Sequence, residues 1–584
     1  MPETKQCQKC QSNFIIEDED FEFYEKMKVP APTWCPECRF KRRISFRNEK
    51  TLYKRKCAAT GKVIFSAYSK DTPGEIFNND YWWSDNWDAL KYAQGYDFSE
   101  PFFKQLKVLS EKVPRIARTA INLINSDYSM NAGDLKDCYL IFNAANDEDC
   151  AYGTAINNSK KCYDNSYLES AELCYENVLC EKCYTTFYSV QCSGCQNVYF
   201  SKNLKNCNDC FGCVNLRNKS YCIFNKQYSK EEYKEKIKEF QTGSYTSCEI
   251  FKKETKKLFL KFPNKYFHGE KNINSTGDYI YNSKNVHNSY FVSGGENMKY
   301  CQLLRISPSK DCYDYTLIGK NAELVYDSLI VGRNVSNIKF CHECYENAIN
   351  LEYCVNCSSS SNCFGCVGLR KKQYCILNKQ YTKEEYFKMV ERIKKHMDEM
   401  PYIDKNGNEY KYGEFFPSEL SPFAYNETIA QEYFPLTKKE AKKQGCRWKD
   451  SEKKDYQITI TAKDLPDNIS HFTKVSQDKK DVDDSILKEI IGCNTKSKNR
   501  EQTGCATAFK VIPKELEFYK KLNIPLPRYC PNCRHHERLK NRNPLKLYKQ
   551  TCQKEGCNTE FETTYTPDRK DVVYCEKCYN KEMV

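Results

Sequence analysis

Through the middle of the chain small apolar residues return at a short fixed interval, with polar turn-formers filling the space between them. Cys138, Cys150, Cys162 and Cys174 stand twelve residues apart, as do Cys183, Cys195 and Cys207. Aromatic positions keep a looser version of the same beat further on, near Tyr279, Tyr290, Tyr300, Tyr313, Tyr326, Phe340, Tyr353, Phe364 and Tyr374. The intervening Asn, Ser, Asp and Gly favour turns over helix. One small apolar residue and one aromatic per unit predict stacked strands of a parallel solenoid, whose coils bury their faces only against neighbouring coils. The period leaves open whether twelve residues make a whole coil or half of one.

The repeat core is itself duplicated. Cys210-Phe-Gly-Cys213 and Tyr221-Cys222-Ile-Phe-Asn-Lys-Gln-Tyr228 recur as Cys363-Phe-Gly-Cys366 and Tyr374-Cys375-Ile-Leu-Asn-Lys-Gln-Tyr381. Both copies run into a capping box, Ser229-Lys-Glu-Glu232 and Thr382-Lys-Glu-Glu385, which predicts helices to about Phe240 and Met397. A Lys-rich stretch, 241–271, and a Pro-interrupted one, 398–484, read as linkers or packed loops, the second broken by a capped helix at Thr437–Glu440.

A different duplication marks the two ends. Residues 10–57 align without a gap onto 505–552: Phe23-Tyr24 with Phe518-Tyr519, Cys35-Pro36 with Cys530-Pro531, Arg39, Arg43 and Arg47 with Arg534, Arg538 and Arg542, and Cys57 with Cys552. The expected organisation is an N-terminal module (1–100), a first repeat cassette with its capping helix (101–240), a linker (241–271), a second cassette (272–397), an irregular region (398–484) and a C-terminal double module (485–584).

The chain has 36 cysteines. Its start, Met-Pro-Glu-Thr-Lys-Gln-Cys, carries no apolar export segment, so a reducing, cytoplasmic setting is expected, in which clustered cysteines hold metal more often than each other. Cys7-x2-Cys10 with Cys35-x2-Cys38, and Cys552-x4-Cys557 with Cys575-x2-Cys578, have the spacing of tetrahedral, structural zinc sites. A third set, Cys493 and Cys505 with Cys530-x2-Cys533, follows from the repeat alignment, its first knuckle opened to Cys-x11-Cys. In the core, Cys180, Cys183, Cys192 and Cys195, and likewise Cys341, Cys344, Cys354 and Cys357, are either further ligands or a ladder of small buried residues. Cys207, Cys210 and Cys213, with Cys222 nearby, admit an iron–sulfur reading without a fourth ligand in ferredoxin spacing.

The pattern Cys-x2-Cys-x3-Phe, then Phe23-Tyr24, then Pro32-x2-Cys35-Pro-Glu-Cys38-Arg39 resembles the zinc-ribbon, treble-clef-like domains found in many bacterial proteins, and the segment from Cys557 to Tyr579 is similar. The whole layout resembles a group of uncharacterised cysteine-rich bacterial proteins. The resemblance implies zinc and carries no activity. The expected fold class is therefore mostly β: a duplicated parallel β-solenoid-like core with capping helices, flanked by treble-clef or zinc-ribbon modules at both ends. The N-terminal copy departs from its own repeat, because at the same offset Asp80 and Trp83 stand where Cys575 and Cys578 would fall. Its second metal site is expected to be lost.

Charge refines the picture less than it promises. The formal +13 drops to about +7 once three four-thiolate zinc sites are counted, so the placement of cations matters more than their sum. Arg39, Arg43 and Arg47 fall at helical spacing after Cys38, and Arg534, Arg538 and Arg542 repeat them. Such stripes either bind phosphate or are solvated faces, the N-terminal one paired with the acidic run Glu17–Asp20. No P-loop, GxGxxG, HExxH or GxSxG is present, and His535-His536-Glu537 follows Cys530-x2-Cys533 in the wrong order for a nucleobase deaminase. The reading is a non-enzymatic zinc-binding scaffold whose partner is nucleic acid or a ribonucleoprotein. The alternative is a protein–protein scaffold using the Tyr-rich solenoid face, and a third is a metal- or cluster-dependent redox enzyme.

Overall fold

In the computed structural model, which describes residues 1–304, 306–320, 322–450, 456–473 and 484–583, two parallel β-solenoids form the centre of the molecule. The first begins at Arg115 and the second near Asn264. In the first, strands pair in parallel at an offset of 12 residues, Thr154 with Ser166 and Ser166 with Val178. Twelve residues are thus one whole coil. The second solenoid keeps 12 at its end, Ile349 with Ser361 and Ser361 with Gln373, and widens to 13 in its middle, where Val325 pairs with Ile338.

The coil is built on triplets. Asp137, Leu140, Asn143, Asn146 and Asp149 all have φ between 52° and 58°, so the chain turns a left-handed corner at every third residue. The residue after each corner points inward: Cys138, Ile141, Ala144, Asp147 and Cys150 are all buried. Asn and Asp recur at these corners because they tolerate this region better than other non-glycine residues. Four corners per coil leave one inward side chain per side, and the resulting lumen admits only slim residues.

This lumen explains the cysteines. In the first solenoid the inward thiols ahead of the last coil donate to the carbonyl two residues back and to the one nine residues on, as Cys138 does to Lys136 and Asp147, both at 3.4 Å. Many inward N–H groups are accepted by the side chain twelve residues earlier: Cys138 N by Ser126 Oγ, Asn177 N by Asn165 Oδ1 and Ser189 N by Asn177 Oδ1, all at 2.9 Å. Cysteine, serine and asparagine alternate in the lumen because each fills it and satisfies the backbone groups that a square coil turns inward.

The helices Lys230–Lys238 and Lys383–Glu399 close the far ends of the two solenoids through the capping boxes read from the sequence. The stretch 241–271, expected to be irregular, instead holds a helix, Tyr245–Phe259, capped by Ser244 accepting from Ser247 N–H. It matches the helix Phe102–Lys112 ahead of the first solenoid, and a proline, Pro263 or Pro114, follows each. In the region 398–484 the buried Tyr410, Phe415 and Phe416 pack against the second solenoid, while 451–455 and 474–483 lie outside the described residues. Among the described residues no helix is long and apolar enough to cross a membrane.

Asp147 tests the lumen. Burial, reinforced by neighbouring Cys150, pushes its carboxyl from 3.8 up to about 9. One oxygen accepts Ser159 N–H at 2.9 Å and the other has no partner. With a folded pKa above the unfolded one, the fold holds an extra proton between pH 3.8 and about 9. Its contribution is complete below that window and declines as pH rises through it. Asn, which occupies equivalent inward positions at 165 and 177, needs no proton. Asp147→Asn is therefore expected to raise stability at pH 7 by about 1–3 kcal/mol and to leave it unchanged near pH 4. The difference between the two proteins' urea midpoints across pH 4–9 measures this.

Candidate metal centres

Each terminal knuckle is assembled from a hairpin and a helix start. Strands Glu3–Gln6 and Asn13–Ile16 pair antiparallel and place Cys7 and Cys10 in the turn between them, where Gln11 (φ 63°) returns its N–H to Cys7 O at 2.9 Å. Cys35 caps the helix Pro36–Ile44, with Pro36 in its first turn and Cys38 on the same end. Proline suits this position, since its missing N–H would have no helical partner there, and the helix dipole favours thiolates at this end. The same design recurs at Cys530 and the helix Pro531–Leu539.

The sulfurs converge. Cys7, Cys10, Cys35 and Cys38 form one group, Cys493, Cys505, Cys530 and Cys533 a second, and Cys552, Cys557, Cys575 and Cys578 a third, each with all Sγ atoms within 4.8 Å of one another. Sample separations are 3.7 Å for Cys10–Cys35, 3.9 Å for Cys493–Cys533 and 4.0 Å for Cys557–Cys575. A tetrahedral ion bound at about 2.3 Å requires sulfurs about 3.8 Å apart, so all three groups fit one four-thiolate ion each. In every group the first cysteine of the helix knuckle donates its N–H to the first hairpin sulfur: Cys35 to Cys7 and Cys530 to Cys493 at 3.2 Å, Cys575 to Cys552 at 3.3 Å. Hydrogen bonds from Cys35 and Cys38 hold the Cys7 thiol far below its ordinary value. In the opened knuckle the extra residues form a helical excursion, Ser497–Thr503, and return through Gly504 at φ 58°.

The fourth position of this scheme is degenerate, though at other residues than the constant offset suggested. Ile76–Phe77 pair with Arg115–Ile116 at the base of the first solenoid just as Val573–Tyr574 pair with Asn264–Lys265 at the base of the second. The next residues, Asn78 and Cys575, are therefore equivalents, and Asn78 N–H still donates to Cys57 Sγ at 3.3 Å. Asn78 and Tyr81, not Asp80 and Trp83, replace the helix cysteines, and Thr60, followed by Gly61 at φ 70°, stands where Cys10 precedes Gln11.

The core quartets do not form such groups. Cys180, Cys183, Cys192 and Cys195, and Cys341, Cys344, Cys354 and Cys357, are rungs of the lumen: Cys192 N donates to Cys180 Sγ and Cys354 N to Cys341 Sγ, both at 3.4 Å. Among the described residues only the three terminal groups bring four ligand atoms within mutual reach. Cys207, Cys210, Cys213 and Cys222 are rungs as well, with Cys213 donating to Cys222 O at 3.4 Å.

The arginine stripes face inward, which corrects their reading as a phosphate-binding or solvated surface. Arg39 and Arg43 grip the two oxygens of Asp314 at 2.8 and 3.0 Å, and Arg43 reaches Asp327 at 2.7 Å. Arg534 and Arg538 grip Asp164, each at 3.0 Å, in the other solenoid. Arg47 is buried against Glu49, and Arg542 donates to Tyr167 Oη at 2.7 Å while stacking 4.0 Å over Tyr433. The acidic run does not neutralise the stripe, because Asp20 pairs with Lys299 at 2.7 Å. A helical spacing of arginines looks the same whether the face meets water or buried carboxylates; the receptors lay hundreds of residues away. They did leave a signal in the tripeptide Cys-Tyr-Asp, present as Cys162-Tyr163-Asp164 and Cys312-Tyr313-Asp314. In both, the aspartate takes the arginine pair and the tyrosine stacks on the module's phenylalanine, Tyr163 on Phe518 at 4.4 Å and Tyr313 on Phe23 at 3.9 Å.

No family model and no curated protein matches the chain. Among solved structures, a protein provisionally described as an acetyltransferase from Desulfovibrio desulfuricans G20 overlaps 46% of this chain and 69% of its own at 9% identity and a TM-score of 0.10. An overlap that slight carries no argument.

Removing one partner of a buried ion pair strands the other charge, at a cost of about 3–5 kcal/mol. Arg538→Ala is accordingly expected to destabilise the docked C-terminal module by that order and to expose it to limited proteolysis, and Arg43→Ala to do the same at the N-terminal end. An exposed residue such as Lys62, replaced by Ala, should on the same scale change nothing measurable.

Proposed function

We propose that the protein is a non-enzymatic scaffold in which zinc-bearing modules clamp two solenoids into one rigid body. The observation that carries this reading is the crossed arrangement of the end modules. The helix Pro36–Ile44 docks on the second solenoid through Asp314, while the hairpin that follows it, Tyr53–Ser66, leads into the strand that caps the first solenoid at Arg115–Ile116. At the other end the helix Pro531–Leu539 docks on the first solenoid through Asp164, and the last metal group caps the second at Asn264–Lys265. Each tandem module thus bridges both solenoids. Zinc suits the role because it has no redox chemistry and no geometric preference beyond what four thiolates supply. A closed four-sulfur shell leaves no position for a reacting water, in keeping with a structural part. With 36 cysteines all unpaired, a reducing compartment such as the cytoplasm is where we place the protein.

The alternative scaffold reading, with the Tyr-rich face as the binding surface, keeps only part of that surface: Tyr163, Tyr175, Tyr313, Tyr326 and Tyr353 are covered by the protein's own modules and by the segment around Phe416, while Tyr128, Tyr184 and Tyr281 are exposed. Among the described residues Cys207, Cys210, Cys213 and Cys222 do not come together as a four-ligand group of the kind the cluster reading needs.

Purified protein should contain three zinc ions per chain and no iron, by elemental analysis. Cys35→Ser and Cys575→Ser should each lose one ion, and Cys150→Ser none. Chelation should shift the fluorescence of Trp34, which adjoins Cys35, before the solenoids lose their far-ultraviolet signal. Fewer than about two zinc ions, on the four-thiolate rule, would rule the clamp out.

A further inference from the structure

The module copy without a metal group differs from its metal-bearing counterpart in more than its ligands. The two second hairpins share one register. In the C-terminal copy Lys549 faces Glu562 and Thr551 faces Glu560. In the N-terminal copy the same positions hold Lys54 opposite Phe65 and Lys56 opposite Val63. Both glutamates are gone and a further cation has been gained. Lys54, Lys56 and Lys62 are exposed and make no ion pair among the described residues, and Val63 is 68% exposed.

The acids have been replaced by rings as well as cations. Lys54 Nζ lies 5.4 Å from the Phe65 ring and the Arg118 guanidinium 5.6 Å from it. The row continues away from the hairpin, with Tyr128 4.6 Å from Phe65 and Tyr139 5.2 Å from Tyr128. Arg118 is fixed by donating to the backbone carbonyls of Asp127 and Ser129, so its position is set by the first coil. The Asp127 side chain is the neighbouring acid, and it is exposed. Tyr128 is 38% exposed. A row of rings interleaved with unpaired cations is the surface that single strands use, their bases stacking on the rings while the phosphates meet the charges.

We propose that this hairpin, with Lys54, Lys56, Phe65, Arg118 and Tyr128, docks single-stranded nucleic acid. The buried arginine stripes have no part in it. The proposal rests on the scaffold reading only in that the clamp holds the hairpin against the first coil. A duplex fits less well, since its bases are stacked internally and offer the rings no faces. A protein partner with an acidic face would use the lysines and leave the row of rings unused.

The test is fluorescence anisotropy of the full-length, metal-replete protein with a labelled 20-nucleotide oligouridylate, an unlabelled duplex of equal length serving as competitor, at 50 and 200 mM salt. The key variant carries Lys56→Thr, Val63→Glu and Phe65→Glu, the residues that the other copy bears at the same register. It should bind at least tenfold more weakly with a shallower salt dependence. Tyr128→Ala should lose affinity for the oligouridylate while leaving the salt dependence as it was. An unchanged affinity in the triple variant, a duplex that competes as well as the single strand, or no binding at 50 mM salt would each overturn the proposal. Zinc content of the same preparation separates the two readings: three ions with no binding would leave the clamp standing and remove the docking face.

Discussion

The narrow lumen governs everything else in this molecule. A coil of twelve residues with a corner at every third one has room for four inward side chains, none of them large. Such a core buries little apolar surface per residue, and most of the aromatic residues that would normally enlarge it point outward, although Tyr315 enters the lumen in the wider middle of the second solenoid. They must be covered from outside. The four-cysteine modules, the buried arginines and the long segment after residue 398 can all be understood as answers to that one geometric restriction, because each supplies cover that a coil this thin cannot supply for itself.

Covering the solenoids with charged groups is an expensive solution. Guanidinium and carboxylate must both leave water, and a buried pair seldom stabilises more than an apolar contact of the same size would. What the pairs add is register. Asp164 and Asp314 are corner residues, one on each solenoid, and each offers two oxygens to two arginines one helical turn apart. An apolar helix could slide by a coil along a repetitive surface and lose little. A forked ion pair on a single aspartate cannot. Repetitive architecture makes docking degenerate, and the paired arginines remove the degeneracy.

The parts of the fold legible in the sequence were those with a strict period or a strict spacing. Cysteines twelve apart announced the coil, and Cys-x2-Cys pairs announced the knuckles, because a lumen and a tetrahedron each fix residue type and interval together. The triplet corners escaped notice, since Asp137, Leu140 and Asn143 share a backbone angle but no chemistry. So did the polar rungs, where Ser126, Asn165 and Asn177 do the same work as cysteine under different names. The helix Tyr245–Phe259 was hidden by its lysines, which read as linker although Ser244 begins it properly. The arginine stripes were seen and turned the wrong way, because helical periodicity reports a shared face and says nothing about what that face meets.

The crossed attachment of the modules has a consequence for how the chain is made. Arg39 and Asp314 are separated by 275 residues, so the N-terminal module leaves the ribosome well before the second solenoid. Its metal group closes within residues 7–38 and can form at once. Its buried arginines, however, have no carboxylates to meet until the second solenoid has been synthesised, roughly 15–60 s later at ordinary translation rates of about 5–20 residues per second. During that interval a helix destined for the interior carries its cations unpaired in solution, where charge of one sign favours solubility. The ionic character of the docking surface therefore serves the nascent chain as well as the finished one.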